Sequence, residues 1–413
     1  MPLARTLTAL LALATSATPC PAPERPAAPD AGSGVVVGVE VLLRDSLHLL
    51  RGRRVGLITN HTGRDRAGAS TADLLHRAPG VTLAALFGPE HGIRGVARGG
   101  ADVPSTVDSA TGVPVYSLYG ETRVPTARML EGVDVLVYDV QDVGARPYTY
   151  VWTMALAAEA AHRAGKPFVV LDRPDPVRAD RVEGGVLDPA FRSFVGQYPV
   201  ALRYGLTPGE LLRYLVGTGQ VRADVTVIPM QGYRRDMWYD ETGLPWVSPS
   251  PNIRDLETAL LYPGTVFFEA TNLSEGRGTD APLKLVGAPW LTDVGAVVRE
   301  MTTMDLPGVR FDSTTRTIGA GEKWAGRTIP MIRIAVTDRD AVRPVDVGVR
   351  LMRAIYRRHA RDWKWHLNGI EELSGSRALR RAVEQGTVDA LLRQWRAESA
   401  RFARDVEPYR LYP

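Results

Sequence analysis

VDVLVYDVQDVGARPYTY, residues 133–150, begins as an apolar run and ends as a loop crowded with polar side chains. Val133 to Asp139 (VDVLVYD) is dominated by β-branched and aromatic residues, the composition of a strand buried on both faces. Asp139 then opens a turn through Gln141, Asp142 and Gly144 to Arg146. A helical pattern follows from Tyr150 to Ala164, stopped by Gly165, and Pro167 to Asp172 (PFVVLD) starts another apolar strand. Strand, polar turn, helix, strand is the repeating unit of a parallel sheet covered by helices on both faces.

The same rhythm extends in both directions. Arg54 to Thr59 (RVGLIT), Val81 to Phe87 (VTLAALF) and Ala223 to Pro229 (ADVTVIP) read as further strands. Thr71 to Ala78, Thr126 to Glu131 and Thr207 to Val216 read as helices, the last opened by a capping box of Thr207 and Glu210. The expected fold is therefore α/β: an open, Rossmann-like, doubly wound parallel sheet over residues 35–240. Past Glu241 the chain is turn-rich (LPWVSPSPN), with an isolated strand at Met331 to Thr337 and helical patterns at Val345 to Ala360 and Thr387 to Arg404. That change predicts a second, α+β domain over residues 241–413 that completes a cleft.

The first 34 residues read differently. One basic residue, Arg5, precedes an apolar stretch from Leu7 to Ala14 and small residues at Thr15 to Ala17, the order of an export signal. The stretch is too short to span a bilayer, so the expectation is an exported protein, periplasmic or extracellular. Cys20, the only cysteine, stands where a lipoprotein carries its acylated residue, although Pro19 departs from the small residue expected before it. Pro21 to Gly34 is a Pro-, Ala- and Gly-rich spacer. The chain as a whole is 45% hydrophobic and 23% charged, an ordinary globular composition. Its net charge of +4 comes without a basic run, so no nucleic-acid footprint is present.

In open α/β sheets the ligand crevice lies outside the carboxyl ends of the strands. Here successive strands run out into Asn60-His61-Thr62-Gly63, Gly88-Pro89-Glu90-His91-Gly92, Asp139 to Arg146, and Asp172 to Pro176. Four strand ends loaded with polar groups predict a functional cleft. The glycine spacing from Gly63 to Ser70 resembles a phosphate loop, but Ala69 stands where the lysine belongs. No G-x-G-x-x-G follows a strand, no H-E-x-x-H is present, and no G-x-S-x-G elbow occurs, so no cofactor, no metal and no serine esterase chemistry is expected.

What remains is carboxylate chemistry. Cleavage of a glycosidic bond needs a carboxylic acid for the leaving oxygen and a second carboxylate as nucleophile or base. Glu90 is the expected acid, with Phe87 and Pro89 placed to desolvate it. His91, Asp139, Asp142 and Glu40 are the other candidates for the catalytic group. Asn60, His61, Gln141, Arg146 and Tyr148 are expected to line the cleft from the first domain. Asn252 and the segment carrying Glu269, Asn272, Glu275 and Arg277 are expected to close it from the second.

Several long strings identify the chain with a known group: VGLITNHTG, ALFGPEHGIRG, PVYSLYG, DVLVYDVQDVGARPYTY, LDRPDP, SFVGQYPV, ETGLPWVSPSPN and YPGTVFFEATNLSEGRGT, in that order. The sequence resembles the NamZ-like exo-β-N-acetylmuramidases, glycoside hydrolase family 171. The resemblance implies a Rossmann-like domain joined to a C-terminal domain, an active site between them, and release of N-acetylmuramic acid from non-reducing ends of peptidoglycan fragments in cell-wall turnover. It implies that Glu90, in the G-P-E-H-G turn, is catalytic; the second carboxylate, or a substrate-assisted route through the sugar's acetamido group, stays open. N-Acetylmuramic acid carries a lactyl carboxylate that N-acetylglucosamine lacks, and Arg146 and Arg277 are the expected readers of it. A solute-binding protein that captures muropeptides without cutting them is the competing class.

Overall fold

The computed structural model describes residues 34–94 and 105–413, so the export segment and Cys20 lie outside the described residues. In chain order the first strands are β1 (Arg54–Thr59), β2 (Thr82–Gly88), β3 (Thr106–Val107), β4 (Pro114–Ser117), β5 (Val135–Asp139) and β6 (Phe168–Leu171). They are followed by β7 (Glu183–Val186), β8 (Ala201–Arg203) and β9 (Val225–Ile228), then β10 (Leu285–Gly287), β11 (Val309–Thr317) and β12 (Thr328–Val336).

The main sheet has the order β3-β4-β2-β1-β5-β6-β9. All its pairings are parallel except β3 with β4, which adds an antiparallel edge to the expected parallel sheet. From β1 the chain moves to β2 on one side and later to β5 on the other, so the strand order reverses between β1 and β5, and the loops after β1, β2 and β5 surround that point.

The central strands explain why this sheet forms. On β5, Val135 and Val137 face one apolar cluster with Val55, Leu57 and Leu86. Leu136 and Tyr138 face the other with Phe87, Ala155 and Val170. All four β5 side chains are fully buried, and each such burial contributes about 1.5–3 kcal/mol. The helix Tyr150–Arg163 covers one face. The helix Pro208–Gly217 begins with the expected capping box, Thr207 accepting from the Glu210 amide and Glu210 from the Thr207 amide. The segment Thr126 to Glu131, expected as a helix, makes only a single 3-10 turn at Arg128–Leu130. It spans too few residues to repay helix nucleation.

The C-terminal half holds a three-stranded antiparallel sheet, β10-β12-β11, and helices Leu256–Thr265, Pro344–His359 and Val388–Asp405. Its apolar side chains, among them Phe267, Ile334, Val349 and Trp395, join the same cluster that covers the helix Tyr150–Arg163. Two glycines set the spacing here. A Cβ on Gly264 would fall 1.8 Å from the Pro344 carbonyl oxygen, and one on Gly348 would fall 2.0 Å from that of Gly264. The helix leading to Glu269 therefore lies directly against the backbone of Pro344–His359. The closing segment returns to the first sheet, where Tyr412 donates to Asp172 at 2.6 Å and the Leu411 amide to Glu210 at 2.7 Å.

Candidate active site

The loop after β2 is built on two consecutive left-handed residues, His91 at φ +67° and Gly92 at φ +69°. Non-glycine residues seldom adopt this conformation, though histidine does so more often than most. The Thr149 hydroxyl, just ahead of the helix Tyr150–Arg163, donates to Glu90 Oε2 at 2.6 Å. Tyr148 packs edge-on to Tyr150 at 4.8 Å and to Tyr262 at 5.9 Å. Tyr150 itself is buried and donates to the Pro249 carbonyl at 2.7 Å, so it holds the segment bearing Ser250 and Asn252 rather than stacking on a ligand.

Glu90, Thr149, Tyr148 and Tyr262 border a cavity of about 640 Å³, within the size range of small-ligand sites. Glu90, His91, Tyr148, Asn252, Glu269 and Arg277 line it, all six named from the sequence. Tyr119, Arg123, Thr149, Phe194, Tyr262 and Glu372 line it as well and were not singled out for the cleft. Tyr119 and Phe194 do lie in the family-like strings PVYSLYG and SFVGQYPV, which was the available signal. Arg123 and Glu372 had none, since each sits in an unremarkable polar segment.

Glu269 belongs to the 3-10 segment Val266–Ala270 and forms a close ion pair with Arg277. Lys323, from the β11–β12 connection, donates to the carbonyls of Phe268, Glu269 and Leu273 and to Glu275, all at 2.9–3.0 Å. Glu275 lies 3.5 Å from Arg277 and is buried, so it serves this brace instead of facing the cavity. Burial raises the Glu269 carboxyl to about 7; Arg277 and Lys323 oppose the rise, and Glu275 and Glu90 add to it. Desolvation is the larger influence, because removing water costs the charged carboxylate more than the neutral acid.

The remaining expected residues have structural duties. Asp139 is wholly buried, gripped by two nitrogens of Arg173 and by the Thr71 hydroxyl. Glu40 accepts from the Val37 amide at 3.2 Å and pairs with Arg66 at 3.0 Å, away from the cavity. Asn60 accepts from Thr62, and Gln141 donates to the carbonyls of Asp142 and Pro174, lacing together the loops at the switch point. His61 bonds the Ser248 carbonyl at 2.7 Å, and burial lowers its pKa, which favours the neutral ring. Asn272 ties down the backbone of Asp362 and Lys364.

Arg146 is the clearest reassignment. Its guanidinium is buried and donates to the carbonyls of Gly185, Val200 and Leu373 at 3.0–3.1 Å. A cation committed to three backbone acceptors is not available to a ligand, and it lies outside the cavity lining.

Asp142 is also sealed, bonded by Tyr204 and by the Gly144 amide at 2.8 Å. Burial raises it to about 7, against those two donors and with Asp175 adding to the rise; burial raises Asp175 to about 6. One oxygen of each carboxyl, Oδ1 of Asp142 and Oδ2 of Asp175, has no hydrogen-bond partner. The folded protein thus holds protons that an unfolded Asp releases near pH 4. Their contribution to stability is complete below about pH 4 and is lost as the pH rises through 6 to 7. Asp142→Asn, neutral throughout, is expected to flatten the decline in Tm between pH 4 and 7. Thermal unfolding across that range checks it, and an unchanged slope would assign the dependence to other groups.

Comparisons with known proteins agree along nearly the whole chain. Residues 55–257 match the family described as exo-beta-N-acetylmuramidase NamZ, N-terminal, and residues 260–412 match its C-terminal counterpart. The peptidoglycan beta-N-acetylmuramidase NamZ of Bacillus subtilis (strain 168) is 41% identical over 380 residues, covering 92% of this chain and 91% of the relative. Two solved DUF1343 family proteins from Bacteroides fragilis NCTC 9343 share the fold. One has a TM-score of 0.85 at 35% identity, the other 0.73 at 27%, and each alignment covers 92% of this chain and 99% of the other. With both halves matched and a relative of this identity spanning the chain, the protein belongs to the NamZ exo-β-N-acetylmuramidase family.

Proposed function

We propose that this chain is an exo-acting β-N-acetylmuramidase that releases N-acetylmuramic acid from the non-reducing ends of peptidoglycan fragments during cell-wall turnover. The observation that carries the reading is the pair of carboxylates, Glu90 and Glu269, lining one polar cavity in a chain of this family. Tyr262 lines the same cavity as both.

The two differ in surroundings, and environments that separate two carboxyls separate their roles. Glu269, raised to about 7 chiefly by burial, is the proton donor to the departing sugar oxygen. Glu90, held by Thr149, is the partner carboxylate at the anomeric centre. This exchanges the role expected for Glu90 from its turn. Tyr148 and Tyr262 supply apolar contact for a pyranose face.

Substrate of this kind is met outside the cytoplasm, which accords with the signal-like order at residues 1–17 and with Cys20 as an attachment point for a lipid. Among the described residues no helix is long and apolar enough to cross a membrane. Turnover decides between this reading and capture without cleavage. The purified protein is expected to liberate the chromophore from an aryl β-N-acetylmuraminide and free N-acetylmuramic acid from the corresponding disaccharide. Saturable binding of the disaccharide with no release of sugar would establish the solute-binding alternative.

A further inference from the structure

The reading above leaves one cation of the cavity without a task. Arg123 is exposed and lies between β4 and the turn Arg128–Leu130. Its guanidinium carbon sits 4.2 Å from the centroid of the Phe194 ring and 5.7 Å from that of Tyr119. Stacking on an aromatic face pins a guanidinium while leaving its in-plane N–H edges open to a planar anion. Among the described residues Arg123 forms no ion pair, with Glu372 of the same cavity or with any other carboxylate.

Arg277, the other arginine of the cavity, is in the opposite condition. It lies between Glu269 and Glu275, and Lys323 beside it is already held by Glu275 and three carbonyls. A ligand carboxylate brought to Arg277 would be a further negative charge beside Glu269 and Glu275, which already pair with it. Arg123 is paired with no carboxylate among the described residues.

We propose that Arg123, resting over the Phe194 ring, is the residue that recognises the lactyl carboxylate of N-acetylmuramic acid and so sets the preference for that sugar over N-acetylglucosamine. The inference rests on the muramidase reading and deepens it, because the lactyl group carries the only charge on the sugar to be released. It moves the recognition expected of Arg146 and Arg277 to a third arginine.

The test compares aryl glycosides of N-acetylmuramic acid, of the same sugar with its lactyl carboxyl converted to a primary amide, and of N-acetylglucosamine. Wild type is expected to prefer the acid over both neutral sugars. Arg123→Gln is expected to lower kcat/KM for the acid about ten- to a hundredfold, through KM, and to leave the amide within about twofold, because only a charge-assisted pair is lost. Arg123→Lys, which keeps the charge without the planar fork, is expected to retain part of the preference. An Arg123→Gln enzyme that still favours acid over amide as strongly as wild type overturns the inference while leaving the muramidase reading intact. A wild type that cleaves none of the three overturns the muramidase reading itself.

Discussion

Glu269→Gln is expected to reduce turnover of a muramic acid disaccharide about a hundred- to ten-thousand-fold and to reduce turnover of a glycoside with an activated aryl leaving group far less. A natural sugar alkoxide departs only with a proton, whereas an activated phenolate leaves without one. Glutamine keeps the shape of the side chain, so the KM for the disaccharide is expected to change little. The pH profile supplies an independent readout. A carboxyl raised to about 7 is protonated below that pH and loses its proton above it, so wild-type activity is expected to fall on the basic side with an apparent pKa near that value. In Glu269→Gln that limb is expected to vanish. Glu90→Gln is expected to impair both substrates alike and to keep the limb, since its partner role does not depend on the leaving group. The reverse pattern, with leaving-group dependence in Glu90→Gln alone, would return the proton donor to the turn after β2.

Asp139→Asn is expected to have the largest effect on stability, about 3–5 kcal/mol, because it leaves the buried Arg173 guanidinium without its counter-charge. Asp139 ends β5 at the centre of the sheet, and Arg173 lies in the loop after β6, so the pair clamps two neighbouring strands at the edge that supports the cavity. Denaturant unfolding of the variant, set beside Glu269→Gln, separates the two kinds of residue. Glu269 faces the cavity with a quarter of its side chain exposed, and its replacement is expected to change stability much less. An Asp139→Asn protein as stable as wild type but inactive would place Asp139 in the chemistry after all.

That contrast marks the division between the two sources of information. Sequence alone was sufficient for the elements whose signal is local. VDVLVYD, RVGLIT and PFVVLD are apolar runs that only a strand between two helical layers can bury, and the Thr207–Glu210 box marks its helix start without reference to anything distant. The strained turn at Glu90 and His91 was also visible, since glycines flank two polar residues at a strand end. What the sequence could not distinguish was one carboxylate or arginine from another. Asp139 and Glu269 are both acidic residues in functional-looking strings, yet one is consumed by Arg173 and the other faces a cavity. Arg146 and Arg123 are both arginines near the cleft, yet one donates to the carbonyl of Leu373, far along the chain, and the other rests on Phe194. Such assignments depend on partners brought together from distant parts of the chain, and burial then decides whether a charge must be neutralised by protein or is left for a ligand. The tertiary structure alone makes that decision, because the cost of an unpaired charge exists only once water has been excluded from around it.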